Sequence, residues 1–234
     1  MDMNLPTLHE LGAKPSLSEE HGLALLRPSD KLIFSPGIST AGFAEVRMAL
    51  AAPDRKVIAT TIDRKGLTFT DDLIAKLGLG SQIETKFENL LDPWSYAPGS
   101  FDFIFSRLVL HYLPADDLDT VLHNFAASLK SGGMLFVVVQ STKNVDPSDP
   151  NFRYDPITHL SSVSKFSKDG RLLSVDKRYF HTDESIQEHL RLAGFSVTSI
   201  QDYDEQLYHD YARTDEAIGN KASHLIEVVA VKST

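Results

Sequence analysis

Phe101 to Val139 reads FDFIFSRLVLHYLPADDLDTVLHNFAASLKSGGMLFVVV. Phe103, Ile104 and Phe105 form an apolar run, as expected for a strand covered on both faces. From Asp116 to Lys130, Leu118, Val121, Leu122, Phe125 and Leu129 recur at helical spacing. Asp116 and Asp117 near the start and Lys130 at the end complement the helix dipole. Ser131-Gly132-Gly133 then supplies a helix stop and a tight entry into the apolar run Met134–Val139. Strand, crossover helix and strand in this order make a βαβ unit of a parallel sheet.

The same rhythm extends in both directions. Upstream, Ser16-Leu-Ser-Glu19 has the form of a capping box opening a helix through Leu17, His21, Ala24 and Leu25. Lys31–Gly37 is a short strand, Gly42–Ala52 a helix, and Lys56–Asp63 a β-branched strand ending in an acid. Leu67–Leu77 is a helix stopped at Gly78, and Gln82–Asn89 is the next strand. Downstream, Asp183–Ala193 is amphipathic, and Phe195–Ile200 and Leu225–Val231 are the last two strands, separated by the acidic, aromatic segment Asp202–Glu216. Regular alternation of this kind is the pattern of a doubly wound α/β sheet. Residues 141–180 interrupt it. Pro147, Pro150 and Pro156 exclude a long helix, Asp169-Gly170 marks a hairpin turn, and a stretch of this length without helix is expected to be a lid or binding loop.

A chain of 234 residues with 42% apolar content suits one domain, 1–234, with a helical cover over 1–30 and a lid or substrate insert over 141–180. The formal charge of −9 argues against nucleic acid as the main partner, since that binding rests on Lys and Arg neutralising phosphates. Cysteine is absent, which removes disulfides and thiolate metal sites and fits a cytoplasmic setting. The first residues carry no basic and apolar leader pattern, and the apolar runs are too short to span a bilayer. The expected partner is a small-molecule substrate rather than a membrane, and a homodimer is the one assembly considered.

Beyond periodicity, the wording FDxxxSxxxLHYLP followed by LKxGGxLxxxV closely resembles the fourth and fifth strands of the class I S-adenosylmethionine (SAM)-dependent methyltransferases, especially the small-molecule enzymes. The tail is similar too: Tyr179-Phe-His-Thr182 leads into SIQEHLRLAGFSV, a helix ending at Ala-Gly-Phe before a strand. The resemblance runs from about residue 20 to the C-terminus. It implies a Rossmann-like seven-stranded sheet with helices on both faces and an antiparallel last strand, and SAM as cofactor.

In an open parallel sheet, ligands bind beyond the carboxyl ends of the strands near the switch in strand order. The resemblance therefore assigns cofactor contacts at five places. The loop after the first strand reads Ser35-Pro36-Gly37-Ile38-Ser39-Thr40-Ala41-Gly42 where the family carries an acid and a glycine-rich turn. Only Gly37 matches cleanly, so Ser35, Gly37 and Ser39 stand for a remodelled loop or for a turn that has lost its ligand. Asp63 is placed to accept hydrogen bonds from ribose hydroxyls, or simply to cap the turn it ends. Glu88 and Asn89 lie where adenine is read, with Leu90 against its ring. Ser106 and Arg107 end the fourth strand near the sulfonium, and His111-Tyr112 follow beside the active site.

Methyl transfer from a sulfonium needs mainly in-line placement of a nucleophile, with a general base when the nucleophile carries a proton. The base candidates are His111, His159 and His181, and Tyr154, His159 and Tyr112 are candidate substrate contacts. Each is also a plausible packing or surface residue. No sequence motif calls for a metal. Trp94 and Tyr96 pack either on adenine or on the core edge. The alternative to an O- or N-methyltransferase is a catalytically inactive protein of the same fold, binding SAM or a protein partner. A nicotinamide oxidoreductase is disfavoured, because GxGxxG is absent.

Overall fold

The computed structural model describes residues 13–233 except 15, 39–41, 168, 209–210 and 214–221. Its elements, in chain order, begin with α1 (Leu17–Ala24), β1 (Leu32–Pro36), α2 (Phe43–Leu50), β2 (Lys56–Thr61), α3 (Arg64–Leu77) and β3 (Ile83–Phe87). They continue with β4 (Phe101–Arg107), α4 (Ala115–Ser128), β5 (Leu129–Gln140), β6 (Phe152–Tyr154), β7 (Leu160–Phe166) and β8 (Leu172–Tyr179). The last are α5 (Asp183–Leu192), β9 (Phe195–Glu205) and β10 (Ser223–Lys232). Seven strands form one sheet in the order β3-β2-β1-β4-β5-β10-β9, with β1 to β5 parallel and β10 antiparallel to both β5 and β9. The strand order reverses between β1 and β4, which fixes where a ligand crevice opens.

The apolar runs read as doubly covered strands behave as such. Ile33 pairs with Phe103 and Phe34 with Ile104, and the two pairs face opposite sides of the sheet. Phe34, Ile104 and Val137 pack with Leu118, Phe125, Ile186 and Leu190 of α4 and α5. Ile33, Phe103 and Val138 pack with Ala44, Met48 and Ile74 of α2 and α3. All these central-strand residues are fully buried, each contributing about 1.5–3 kcal/mol of apolar transfer. Helix α1 lies flat on the sheet because Gly22 has no side chain. A Cβ there would come 2.4 Å from Phe105 Cε2 and 2.6 Å from Phe136 Cε1.

Four expectations change. Ser16 is the residue before α1, but its side chain makes no capping bond. Its hydroxyl donates to Glu205 at the end of β9, and Glu19 is buried against Arg213. Burial of these groups outcompetes the local capping box. Helix α4 ends at Ser128 rather than Lys130, because Leu129 already pairs with Phe101 in the β4–β5 ladder. Strand β9 runs on to Glu205, so Asp202 and Tyr203 belong to a strand paired with β10 rather than to a connecting loop. Finally, the insert is not structureless. Strands β6, β7 and β8 make a separate antiparallel sheet, with the turn at Asp169-Gly170 closing β7 onto β8 as read from the sequence. No helix among the described residues is long and apolar enough to cross a membrane.

Candidate active site

Beyond the carboxyl ends of β1 to β5 lies a cavity of about 690 Å³, within the usual range of small-molecule sites. Gly37, Asp63, Glu88–Leu90 and Arg107 line one half; His111, Tyr112, Phe152, Arg178 and Phe180 line the other. Helices and strands of the seven-stranded sheet build the first half, and the three-stranded sheet roofs the second.

Gly37 is required here on two counts. Its φ is +71°, and a Cβ would fall 2.7 Å from Val109 Cβ. The backbone therefore packs tightly against Val109, just beyond the end of β4. Ser35 does not face this space. It is buried, and its hydroxyl donates to Glu45 of α2 at 2.6 Å. Glu45 is itself fully buried, and burial pushes its carboxyl up to about 7 despite the hydrogen bond from Ser35. Ser35 is thus removed from the direct contacts. Ser39 lies outside the described residues.

Asp63 serves the turn and also faces the cavity. It caps α3 by accepting from the Lys65 N–H at 3.0 Å, and it lines the cavity. Its second oxygen accepts from the Tyr211 hydroxyl. Burial works against the charged form, but the bonds from Tyr211, Gly66 and Lys65 outweigh it and hold the carboxyl below its ordinary value. Glu88 accepts from the Tyr96 hydroxyl at 3.0 Å, and Asn89 Oδ1 accepts from the Leu91 N–H at 3.1 Å. Leu90 is buried at the rim. Trp94 and Tyr96 pack on Phe34 and thus belong to the core edge, with the Trp94 indole N–H donating to Ser128 at 2.7 Å.

Arg107 reaches the cavity wall, yet its guanidinium is spent on structure. It donates to Ser18 at 2.6 Å and to Ser16 at 2.7 Å, and pairs with Glu205 at 3.3 Å. This network clamps the segment before α1 to the ends of β4 and β9. Ser106 is fully buried, its hydroxyl has no partner among the described residues, and it does not line the cavity.

Of the three candidate bases, only His111 lines the cavity. It is 1% exposed, its Nδ1 has no partner among the described residues, and burial, then the Arg178 charge, then His181 hold it neutral well below its ordinary value. Tyr112 beside it is half exposed and also lines the cavity. His159 and Tyr154 do not: the Tyr154 hydroxyl and His159 Nδ1 sit 2.9 Å apart and engage each other. His181 is buried behind the wall, with burial pushing its imidazole down to about 3. Its backbone ties β5 to the start of α5, accepting from the Thr142 N–H and donating to Gln140 O. Arg178 and Phe180 escaped the sequence reading. The period-2 alternation of Asp176, Arg178 and Phe180 places them on one face, but only the pairing of β7 with β8 aims that face at the cavity. Among the described residues no group of three His, Cys, Asp or Glu is placed to hold a metal.

Residues 37–133 match the family model described as a methyltransferase domain. No curated protein is recognisably similar in sequence. Among solved structures, the chain resembles a SAM-dependent methyltransferase from Methanosarcina mazei, with 18% identity, a TM-score of 0.67, and 90% of this chain and 95% of that one covered. It resembles the CcbJ methyltransferase of Streptomyces caelestis at 13% identity and a TM-score of 0.66, covering 99% and 94%. The [4+2]-cyclase SpnF shares the fold at 14% identity and a TM-score of 0.60, covering 92% and 78%.

Proposed function

We propose that this chain, whose residues 37–133 match a methyltransferase domain, is a class I SAM-dependent methyltransferase that transfers the methyl group of SAM to an oxygen or nitrogen of a small-molecule acceptor. The observation that carries this reading is a cavity with two unlike walls. One wall is made of strand ends, where a cofactor of this family belongs, and the other of an insert that encloses a molecule of modest size. The residues fit SAM: Gly37 lines the cavity at the end of the first strand, Asp63 offers carboxylate oxygens, and Glu88, Asn89 and Leu90 form the next strand end. When bound, SAM supplies an electrophilic sulfonium methyl. Asp63 would hold the ribose hydroxyls, Asn89 the adenine edge and Leu90 its face. His111 is the group positioned to take the acceptor's proton, since it is neutral and lines the acceptor half. Phe152 and Phe180 exclude water around it. A cytoplasmic setting belongs to the same proposal and is supported by the cysteine-free composition.

A second reading, SAM binding without methyl transfer, is favoured by Ser35 turning to Glu45 and by Tyr211 sitting on Asp63. A fold shared with the [4+2]-cyclase is compatible with it. Calorimetric titration with SAM and S-adenosylhomocysteine tests the shared premise. Mass-spectrometric detection of methylated product from a panel of phenols, amines and acids then separates the readings. Micromolar cofactor binding with a methylated product supports the first, and the His111→Gln variant should then lose about 10²-fold or more in turnover at unchanged cofactor affinity. Binding without any product favours the second. Absence of binding removes both.

A further inference from the structure

The acceptor half of the cavity contains a cation for which the described residues supply an aromatic face but no hydrogen-bond acceptor. Arg178 on β8 lines the cavity, and its guanidinium carbon stands 5.4 Å from the centre of the Tyr112 ring. Its Nε is buried and has no hydrogen-bond partner among the described residues. No carboxylate among those residues lies within salt-bridge range of it. The other buried or half-buried arginines are treated differently. Arg107 is paired with Glu205, Arg213 with Glu19 and Arg47 with Glu20, while Arg55 donates to the backbone carbonyls of Asp30, Met48 and Arg27. In a chain with 32 acidic and 23 basic residues, carboxylates are in surplus, yet none among the described residues is brought to Arg178.

Two further polar atoms at the same end are buried without partners among the described residues: the Ser161 hydroxyl and His111 Nδ1. Ser161 is the direct cross-strand partner of Arg178, so the two side chains share the inner face of the small sheet. Around them the walls are apolar, with Phe152, Val163 and Phe180 lining the cavity. Leaving a buried donor unmet is costly, and a guanidinium costs more than a neutral group. A planar fork of donors is met best by a carboxylate or phosphate, which it can grip with two parallel bonds. Arg178 is also close enough to His111 for its charge to bear on that ring, which places the anion-binding point beside the proposed reaction centre.

We propose that the methyl acceptor carries an anionic group, carboxylate or phosphate, on a largely apolar body, and that Arg178 binds that group. The inference rests on the methyltransferase reading for the word acceptor, but the anion preference can be measured apart from it. The full chain is titrated, with and without S-adenosylhomocysteine, with matched probes: hydroxybenzoates, hydroxycinnamates and phenyl phosphate against the corresponding amides and phenol. At least one anion is expected to bind about tenfold or more tightly than its neutral counterpart. Arg178→Met should abolish that preference and Arg178→Lys should keep part of it, with S-adenosylhomocysteine affinity the same in all three proteins. Retention by phenyl phosphate alone or by the benzoates alone would identify which oxyanion is meant.

The proposal is overturned if no anion binds better than its neutral match at millimolar concentration, or if the preference survives in Arg178→Met. It is also overturned if Arg178→Met loses S-adenosylhomocysteine in step with the acids, because Arg178 would then serve the cofactor's own carboxylate. Failure of the wild-type chain to bind S-adenosylhomocysteine strikes the methyltransferase reading instead. The cofactor-free titrations still decide the anion preference.

Discussion

At the ends of β2 to β4, Asp63, Glu88, Asn89 and Arg107 each already have a protein partner and only the neutral Thr60 hydroxyl on the cavity has none among the described residues, whereas under the three-stranded sheet the cationic Arg178 Nε and His111 Nδ1 both have none among them. The two halves therefore face a ligand on different terms. A molecule entering the first half exchanges one set of hydrogen bonds for another, so its net gain per contact is small. A molecule entering the second half relieves groups that are desolvated and unmet, where the gain per contact is larger. The first half is assembled in advance; the second is completed by what it binds.

The sharpest way to break this contrast is to disassemble the first half. Arg107→Ala leaves Glu205 buried without its cation, and about 3–5 kcal/mol of stability should be lost in urea unfolding. A loss below about 1 kcal/mol, the level of a surface pair, would mean the clamp is ornamental and the half is not preassembled.

Glu45, beneath the end of β1, gives a pH-dependent test. Its folded value of about 7 lies above the ordinary 4.5, so the folded state holds the proton more tightly than the unfolded chain does. Its contribution is full below pH 4.5 and is lost as pH rises through about 7. The difference is worth about 3 kcal/mol. Wild-type stability should fall by about that much from this group between pH 5 and 8, and Glu45→Gln should flatten the slope accordingly. Parallel slopes in the two proteins, followed by urea unfolding, would show that the carboxylate ionises freely under Ser35.

Smaller effects bear on the exchange of bonds itself. Asp63→Ala should weaken S-adenosylhomocysteine binding at least tenfold, about 1.4 kcal/mol, by calorimetry. Tyr211→Phe removes the hydroxyl that now occupies Asp63, and affinity should rise by about 0.5–1.5 kcal/mol. A weaker complex in Tyr211→Phe would make Tyr211 a ligand contact rather than a competitor.

The same division governs what the sequence discloses. The seven-stranded sheet was legible because its strands are continuous apolar runs and its helices have apolar faces, and both patterns are local. That Gly37, Asp63 and Glu88–Leu90 meet at one cavity was legible because strand ends in a parallel sheet converge on one edge. Ser35 was misplaced by position alone. Its burial against Glu45, ten residues on, has no local sign. Ser16-Leu-Ser-Glu19 has the right letters for a capping box, but Glu205, Arg107 and Arg213 arrive from far along the chain and take those side chains away. In the insert, the histidine and tyrosine that attracted attention, His159 and Tyr154, bind each other. The residues that do line the cavity, Phe152, Arg178 and Phe180, come together only through strand pairing across a hairpin.

One consequence of the sheet order concerns how the molecule is made. Strand β10 comes after β9 in the chain but lies inside it in space, bonded to β5 on one side and β9 on the other. While the chain is being synthesised, β5 therefore presents a bare apolar edge, and β9 has nothing to pair with until β10 is complete. Synthesis at roughly 5–20 residues per second leaves that edge open for seconds. Strand edges of this kind invite pairing with other chains. The keystone of the sheet is thus its last strand, and a nascent chain arrested before Ser223 would be a template for aggregation rather than a smaller version of the fold.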